Sequence, residues 1–219
     1  MKNIIVFIIL FSNVFVFSQQ VEIVGGINQN MFYDRESFTS LDADYTNETG
    51  YALKIAFENA KINKFKWRVE IGYEKYGGKI NVFNAGRNGA NRVEAEIDKS
   101  ILSLTFYPLN ATLWNRLDIN LGVEISNLIG GNYIGTHTNY SSLSSMTVVT
   151  DLKKRYTSYN TKFNFGLRGR IAYNFNISEK LILAPQISYF YGHIAEFKEF
   201  PKHTRSIRPF FGIGIGWDI

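Results

Sequence analysis

Large apolar side chains recur at every second position along most of the chain. Between residues 160 and 177, Phe163, Phe165, Leu167, Ile171, Tyr173, Phe175 and Ile177 hold odd positions, while Lys162, Asn164, Gly166, Arg168, Arg170, Asn174 and Asn176 hold even ones. Successive side chains of a β-strand point to opposite faces, so this segment predicts a strand with one apolar and one charged face. Residues 207–219 repeat the pattern with the same parity: Ile207, Pro209, Phe211, Ile213, Ile215, Trp217 and Ile219 stand against Arg208, Gly212, Gly214, Gly216 and Asp218. Segments 21–33, 51–57, 65–73, 117–125 and 181–191 also carry large apolar residues at odd positions, which brings the predicted strands to seven.

An eighth strand is predicted over 93–107, with a defect. Val93, Ala95 and Ile97 alternate with Glu94, Glu96 and Asp98, and then the apolar parity switches to Leu102, Leu104 and Phe106. A β-bulge near Lys99 or Ser100 would restore a single face. The connections alternate in length: 59–64, 108–116 and 178–180 are short, whereas 34–50, 75–92, 126–159 and 193–205 are long, with glycine and asparagine clustered over 86–91 and serine over 141–145. Pro185 and Pro209 fall inside predicted strands, where each removes a ladder donor, and are expected at strand ends or bulges.

An even number of antiparallel strands with alternating short and long connections predicts an all-β fold, an eight-stranded antiparallel up-and-down β-barrel. Periodicity does not say which face is inside. A soluble ligand-carrying barrel would bury the apolar face and expose the charges, whereas a transmembrane barrel does the reverse. Three features favour the membrane. The apolar faces are long and nearly unbroken, the opposite faces mix charges with glycines, and Tyr33, Tyr51, Phe65, Trp67, Tyr73, Phe106, Phe175, Tyr189, Tyr191 and Trp217 sit near strand ends as interfacial girdles would. The inward face is then expected to hold Lys54, Lys66, Arg68, Lys162, Arg168, Arg170 and Arg208 with Glu58, Glu70, Glu74, Glu94, Glu96, Asp98, Asp118, Glu124 and Asp218, pairing and plugging a lumen only wide enough for side chains.

The N-terminus changes the cellular picture. Lys2 precedes an apolar run over 4–17, broken only by Ser12 and Asn13, and Ser18, Gln19 and Gln20 follow. This run is shorter than the roughly 20 residues a spanning helix needs, so residues 1–18 are expected to be a cleaved signal peptide and residues 19–219 a single barrel domain. The absence of cysteine in an exported chain excludes a disulfide framework and a lipidation cysteine. The formal charge of +5 has its signs mixed along the chain rather than blocked, and no basic groove interleaved with aromatics suggests nucleic acid.

Over residues 21–219 the chain resembles the small outer-membrane β-barrel families of the OmpA and OmpX type and porin-like barrels. The resemblance is architectural, and two segments carry it most clearly. Ile101, Leu102, Ser103, Leu104, Thr105, Phe106, Tyr107 and Pro108 are similar to a mid-barrel strand ending in a periplasmic turn, and residues 210–219 are similar to the terminal strand that the barrel-assembly machinery reads. The family usually ends on an aromatic residue, whereas Asp218 and Ile219 follow Trp217 here. The resemblance implies residence in the cell outer membrane, contact with its lipid and lipopolysaccharide, and passage through the barrel-assembly machinery.

Some barrels of this kind modify lipid A at the membrane rim, which needs a nucleophile, a histidine and an acid in contact. His137 lies near Ser141 and Ser142, His193 precedes Glu196, and His203 follows, but none forms a histidine–serine pair on adjacent strand positions. Asp42 and Asp44 lack the rest of a calcium loop, and the Glu94, Glu96 and Asp98 row is expected to pair with Arg168 or Arg170 rather than hold a cation. No catalytic, cofactor-binding or metal-binding residue is assigned, and no cofactor is expected. The chain is expected to be a non-enzymatic outer-membrane barrel with a structural or surface-interaction role in its extracellular loops. The alternatives are a narrow solute channel, a soluble periplasmic ligand carrier and a rim enzyme.

Overall fold

A computed structural model describes residues 20–34, 41–59, 66–151, 154–155, 160–198 and 204–219. The expected signal peptide with its cleavage near Ser18, the expected girdle residue Phe65, and His203 lie outside the described residues. The strands are β1 (Gln20–Asp34), β2 (Leu41–Asn59), β3 (Trp67–Gly86), β4 (Gly89–Leu113), β5 (Leu117–Ser141), β6 (Met146–Asp151), β7 (Lys154–Arg155), β8 (Phe163–Tyr173), β9 (Phe175–Asn176), β10 (Leu181–Gly192) and β11 (Thr204–Asp218). Eight of them, β1, β2, β3, β4, β5, β8, β10 and β11, pair antiparallel in chain order, and β11 pairs with both β10 and β1 to close the ring. Closure leaves the wall no unpaired edge, which hydrocarbon would penalise by several kcal/mol per orphaned group.

The faces are those of a membrane barrel. Ile23, Leu53, Leu104, Ile171 and Ile213 point outward and are exposed, while Arg168 on the other face of β8 is 0% exposed. A soluble carrier has the opposite arrangement. Outward aromatics form two belts, with Tyr33, Tyr51, Tyr73 and Tyr191 towards the long connections and Trp67, Phe106, Phe175 and Trp217 towards the short ones.

Three expectations are corrected. First, the stretches expected as loops over 34–50, 75–92 and 126–159 are largely strand among the described residues: β2 already begins at Leu41, β3 and β4 run in register to a turn at Arg87 and Asn88, and β5 continues to Ser141 before turning back into β6. Second, β4 has no bulge at Lys99 or Ser100. Its odd positions face inward without interruption from Val93 to Tyr107, so Glu94 and Glu96 are exposed on the outer face, where Glu94 pairs with Arg92 and Glu96 with Lys79 instead of with Arg168 or Arg170. Asp98 lies on that same outer face, and Lys162 is also exposed instead of inward. The parity switch marks the level at which the barrel leaves the membrane. Below it the outer face must be apolar. Above it the outer face meets water, and apolar side chains gain by turning inside.

The bulges lie elsewhere. One residue is inserted in β5 opposite Ser100 and Ile101, beside Gly131, where a side chain would collide with the Asp98 carbonyl. Another lies in β4 at Pro108, so this strand does not end there but runs on to Leu113 and a tight turn whose Trp114 and Asn115 both have positive φ (51° and 57°). Positive φ at both central residues matches the twist of the flanking strands. Third, Pro185 and Pro209 occupy neither ends nor bulges. Each sits where a ladder is interrupted: β8 gives way to β9 opposite Pro185, and the pairing of β1 with β11 skips the rungs beside Pro209. The missing N–H therefore leaves no donor to satisfy.

Candidate functional site: a filled lumen under a capped mouth

The even positions of β1, β2, β3, β5, β8, β10 and β11 and the odd ones of β4 converge in the membrane-level lumen, where the side chains lie in layers. At the end with short connections, Lys66 bridges Glu58 (2.6 Å) and Asp118 (3.2 Å), and Thr112 and Asn174 donate to the same aspartate at 2.6 Å each. Above this, Arg68 contacts Glu22 at 2.6 Å and Glu70 at 2.8 Å, while Arg170 donates to Asn120 (2.7 Å) and Gln186 (2.5 Å) and lies 3.4 Å from Glu22. Glu74 then gathers Lys54 (3.2 Å), Arg168 (2.9 Å) and Arg208 (2.8 Å), and Glu124 accepts from Arg208 and forms an ion pair with Arg168.

The cations Lys54, Lys66, Arg68, Arg168, Arg170 and Arg208 are thus matched one for one by Glu22, Glu58, Glu70, Glu74, Glu124 and Asp118. Taking a charge out of water costs several kcal/mol unless it is paired and hydrogen-bonded, so such a lumen requires neutrality. Glu22 was not anticipated, although its even parity on a strand with Ile23 and Ile27 outward carried the signal. Asp218 is only partly buried at the barrel's end. The glycines at 212 and 214 make room across the lumen: a Cβ at Gly212 would overlap the Phe210 ring, and one at Gly214 the Glu22 carboxylate.

The ionic layers end in aromatics. The Arg208 guanidinium lies 4.1 Å from the centre of Phe190 and 5.1 Å from that of Tyr76, and Lys54 lies 4.6 Å from Phe210. Beyond them, above the membrane, the interior becomes an ordinary hydrophobic core of Phe32, Ile80, Val82, Val93, Ala95, Ile97, Tyr133 and Phe197. Phe197 comes from the segment after β10, which folds into the mouth. It stacks edge-on against Tyr133 at 5.9 Å, and its backbone bridges to Asn160. Beneath it, the buried Glu196 carboxylate binds Lys99 at 2.5 Å, accepts from Asn164 at 2.8 Å and also accepts from Ser206. Lys99 and Glu196 were both missed from the sequence, because the first sits at the parity switch and the second in an apparent loop.

Burial pushes the Glu196 carboxyl up, but the Lys99 ammonium and the hydrogen bonds outweigh it and hold this group below the ordinary carboxylate range. A carboxyl whose pKa falls on folding contributes stability that is complete above its unfolded value and is lost as pH falls through the folded one. We expect the methyl NMR signals of Ile80 and Val82, which pack with Phe197, to be constant from pH 7 to about 5 and to shift together below about 4.5. In Glu196→Gln that titration should vanish; its survival would place the acid-sensitive contact elsewhere.

The histidines are scattered. His137 and Ser141 lie on the same strand four residues apart, about 13 Å along it, too far for proton transfer. His193 packs on the outer face against Tyr191 and Phe165. Among the described residues no group of three or more His, Asp or Glu side chains is placed to hold a metal.

An eight-stranded antiparallel ring with an apolar outer band, aromatic belts and a neutral ionic interior is the architecture of a small outer-membrane β-barrel, and this chain is a barrel of that class. No family model and no curated protein matches it. Among solved structures it is similar in trace to outer membrane protein OprG from Pseudomonas aeruginosa, with 15% identity, TM-score 0.44, and 92% of this chain and 96% of that one covered. Neisserial surface protein A is similar at 8% identity, TM-score 0.42, with 91% and 97% covered. The attachment invasion locus protein Ail of Yersinia pestis is similar at 13% identity, TM-score 0.40, with 91% and 99% covered.

Proposed function

We propose that this protein is a closed outer-membrane barrel whose work is done by the surface it presents outside the cell, not by transport through its lumen and not by catalysis. The observation that carries this reading is the doubly sealed interior: a neutral ionic plug through the membrane and an apolar core above it. A conducting path would have to break buried ion pairs at Glu74 and Glu124 and also unpack Phe197.

Above the mouth, the β5–β6 hairpin extends the sheet and carries Leu143, Met146, Val148 and Val149 exposed to water. Exposed apolar residues grouped on a projecting ribbon favour contact with another macromolecule. Export by the N-terminal signal and insertion by the barrel-assembly machinery belong to the same proposal.

The test is planar-bilayer recording on protein that migrates faster unheated than boiled. No steady openings are expected from the wild type. Stable unitary conductance that changes with Arg168→Gln would make the solute channel the correct reading.

A further inference from the structure

The outer wall is not uniform around the ring. On β2, β3 and β4 it presents large side chains at every outward position, among them Leu53, Ile55, Ile71, Tyr73, Leu102 and Leu104. On the flank from β5 through β8, β10 and β11 to β1 it is indented. A groove of about 670 Å³ runs across Ile171, Pro185, Ile187, Phe211, Ile213 and Gly25. A Cβ at Gly25 would meet nothing within 4 Å, and the same holds for Gly169, the outward position next to Ile171 on β8. Lipid is the solvent on this face, so whatever fills the groove is an acyl chain.

Directly above the groove, at the outer membrane boundary, the same strands carry a row of a different character. Tyr33 and Arg205 are cross-strand partners, the Tyr33 hydroxyl donates to the Gly192 carbonyl at 3.4 Å, Tyr33 stacks on Tyr191 at 5.7 Å, and His193 packs on Tyr191 at 5.3 Å and on Phe165 at 6.1 Å. The backbone N–H of His193 bonds the Phe165 carbonyl at 2.9 Å, and both His193 and Arg205 lie two residues beyond Tyr191–Ile207, the last rung between β10 and β11. From Tyr33 down to Ile27 is six residues, about 20 Å along the strand and about 15 Å of membrane depth at the usual tilt, half of the hydrocarbon thickness. A chain anchored by its headgroup at Arg205 therefore ends in the groove. The opposite flank carries mixed charges on its outer face above the membrane, with Glu94 paired to Arg92 and Glu96 to Lys79.

We propose that this flank is a binding site for one phosphorylated lipid of the outer leaflet, with its phosphate on Arg205 and His193 and its chains lying over Gly169 and Gly25. Arg205 offers five donors in a fork that suits a phosphate. The wall's depression supplies shape. The inference rests on the membrane placement proposed above, and heat-modifiable migration tests that placement separately.

The site is tested by native mass spectrometry of the folded barrel titrated with diphosphoryl lipid A and, in parallel, with lipid A from which both phosphates have been removed. Wild type should retain one diphosphoryl lipid at least about tenfold more strongly than the dephosphorylated one, as expected for charge-assisted hydrogen bonds to one anion. Arg205→Gln should abolish that preference while leaving the heat shift intact. Gly25→Leu, which keeps Arg205 and fills the groove, should weaken both lipids alike and carries the test if Arg205→Gln fails to fold. Folded variants that titrate like the wild type, or a wild type indifferent to the phosphates, would overturn the site even with the barrel itself intact.

Discussion

Replacing Glu74 by glutamine will destabilise the barrel by about 3–5 kcal/mol, the usual cost of stripping one partner from a buried ionic cluster. Glu74 faces Lys54, Arg168 and Arg208 within 3.2 Å, all of them buried, so the neutral amide leaves three cations to Glu70 and Glu124 and the lumen with one uncompensated positive charge. Reversible urea unfolding in lipid vesicles, followed by tryptophan fluorescence, measures it. The double substitution Glu74→Gln with Lys54→Met removes the surplus charge and should recover at least about half of the loss, a coupling that a double-mutant cycle isolates. A single variant within about 0.5 kcal/mol of wild type would mean that water enters the lumen and screens these charges, and the sealed interior would be wrong.

Arginine placed at three positions of β4 should give three different results. At Leu104, outward in the middle of the apolar band, it should cost about 2–4 kcal/mol. At Ile97, fully buried in the core above the membrane, the loss should be at least as large, because an unpaired charge enters an apolar interior. At Glu96, one residue away but facing water with a partner, Lys79, 3.8 Å off, the change should stay within about 0.5 kcal/mol. Were Glu96 inside and Ile97 outside, the last two results would trade places.

That contrast also shows where the sequence was legible and where it was not. Strand number, order and the inverted faces followed from period-two alternation, which works wherever the outer surroundings are apolar and the lumen polar, as from Phe163 to Tyr173. The same rule misled above the membrane. Ile97 and Leu104 have opposite parity because the solvent outside the wall changes between them, and a reader who assumes a single solvent sees a bulge. Glu196 and Phe197 could not have been placed by periodicity, since a segment that folds back into the mouth is positioned by its partners Lys99, Tyr133 and Asn160, all distant in sequence. The lipid-facing groove was likewise hidden, because Gly25 on β1 joins Ile171 and Pro185 only once β1 pairs with β11 and the ring closes.

The seating of Phe197 also fixes an order in time. Its neighbours include Phe32 from the first strand of the ring and Tyr133 from the fifth, and its own segment joins the last two strands. The core above the membrane is therefore incomplete until β1 has met β11, the pairing that spans nearly the whole chain and is the slowest to find. During biogenesis the outer half of the molecule stays soft while strands are still being threaded and hardens only when the seam zips. The burial of one phenylalanine thus reports that the circle is complete.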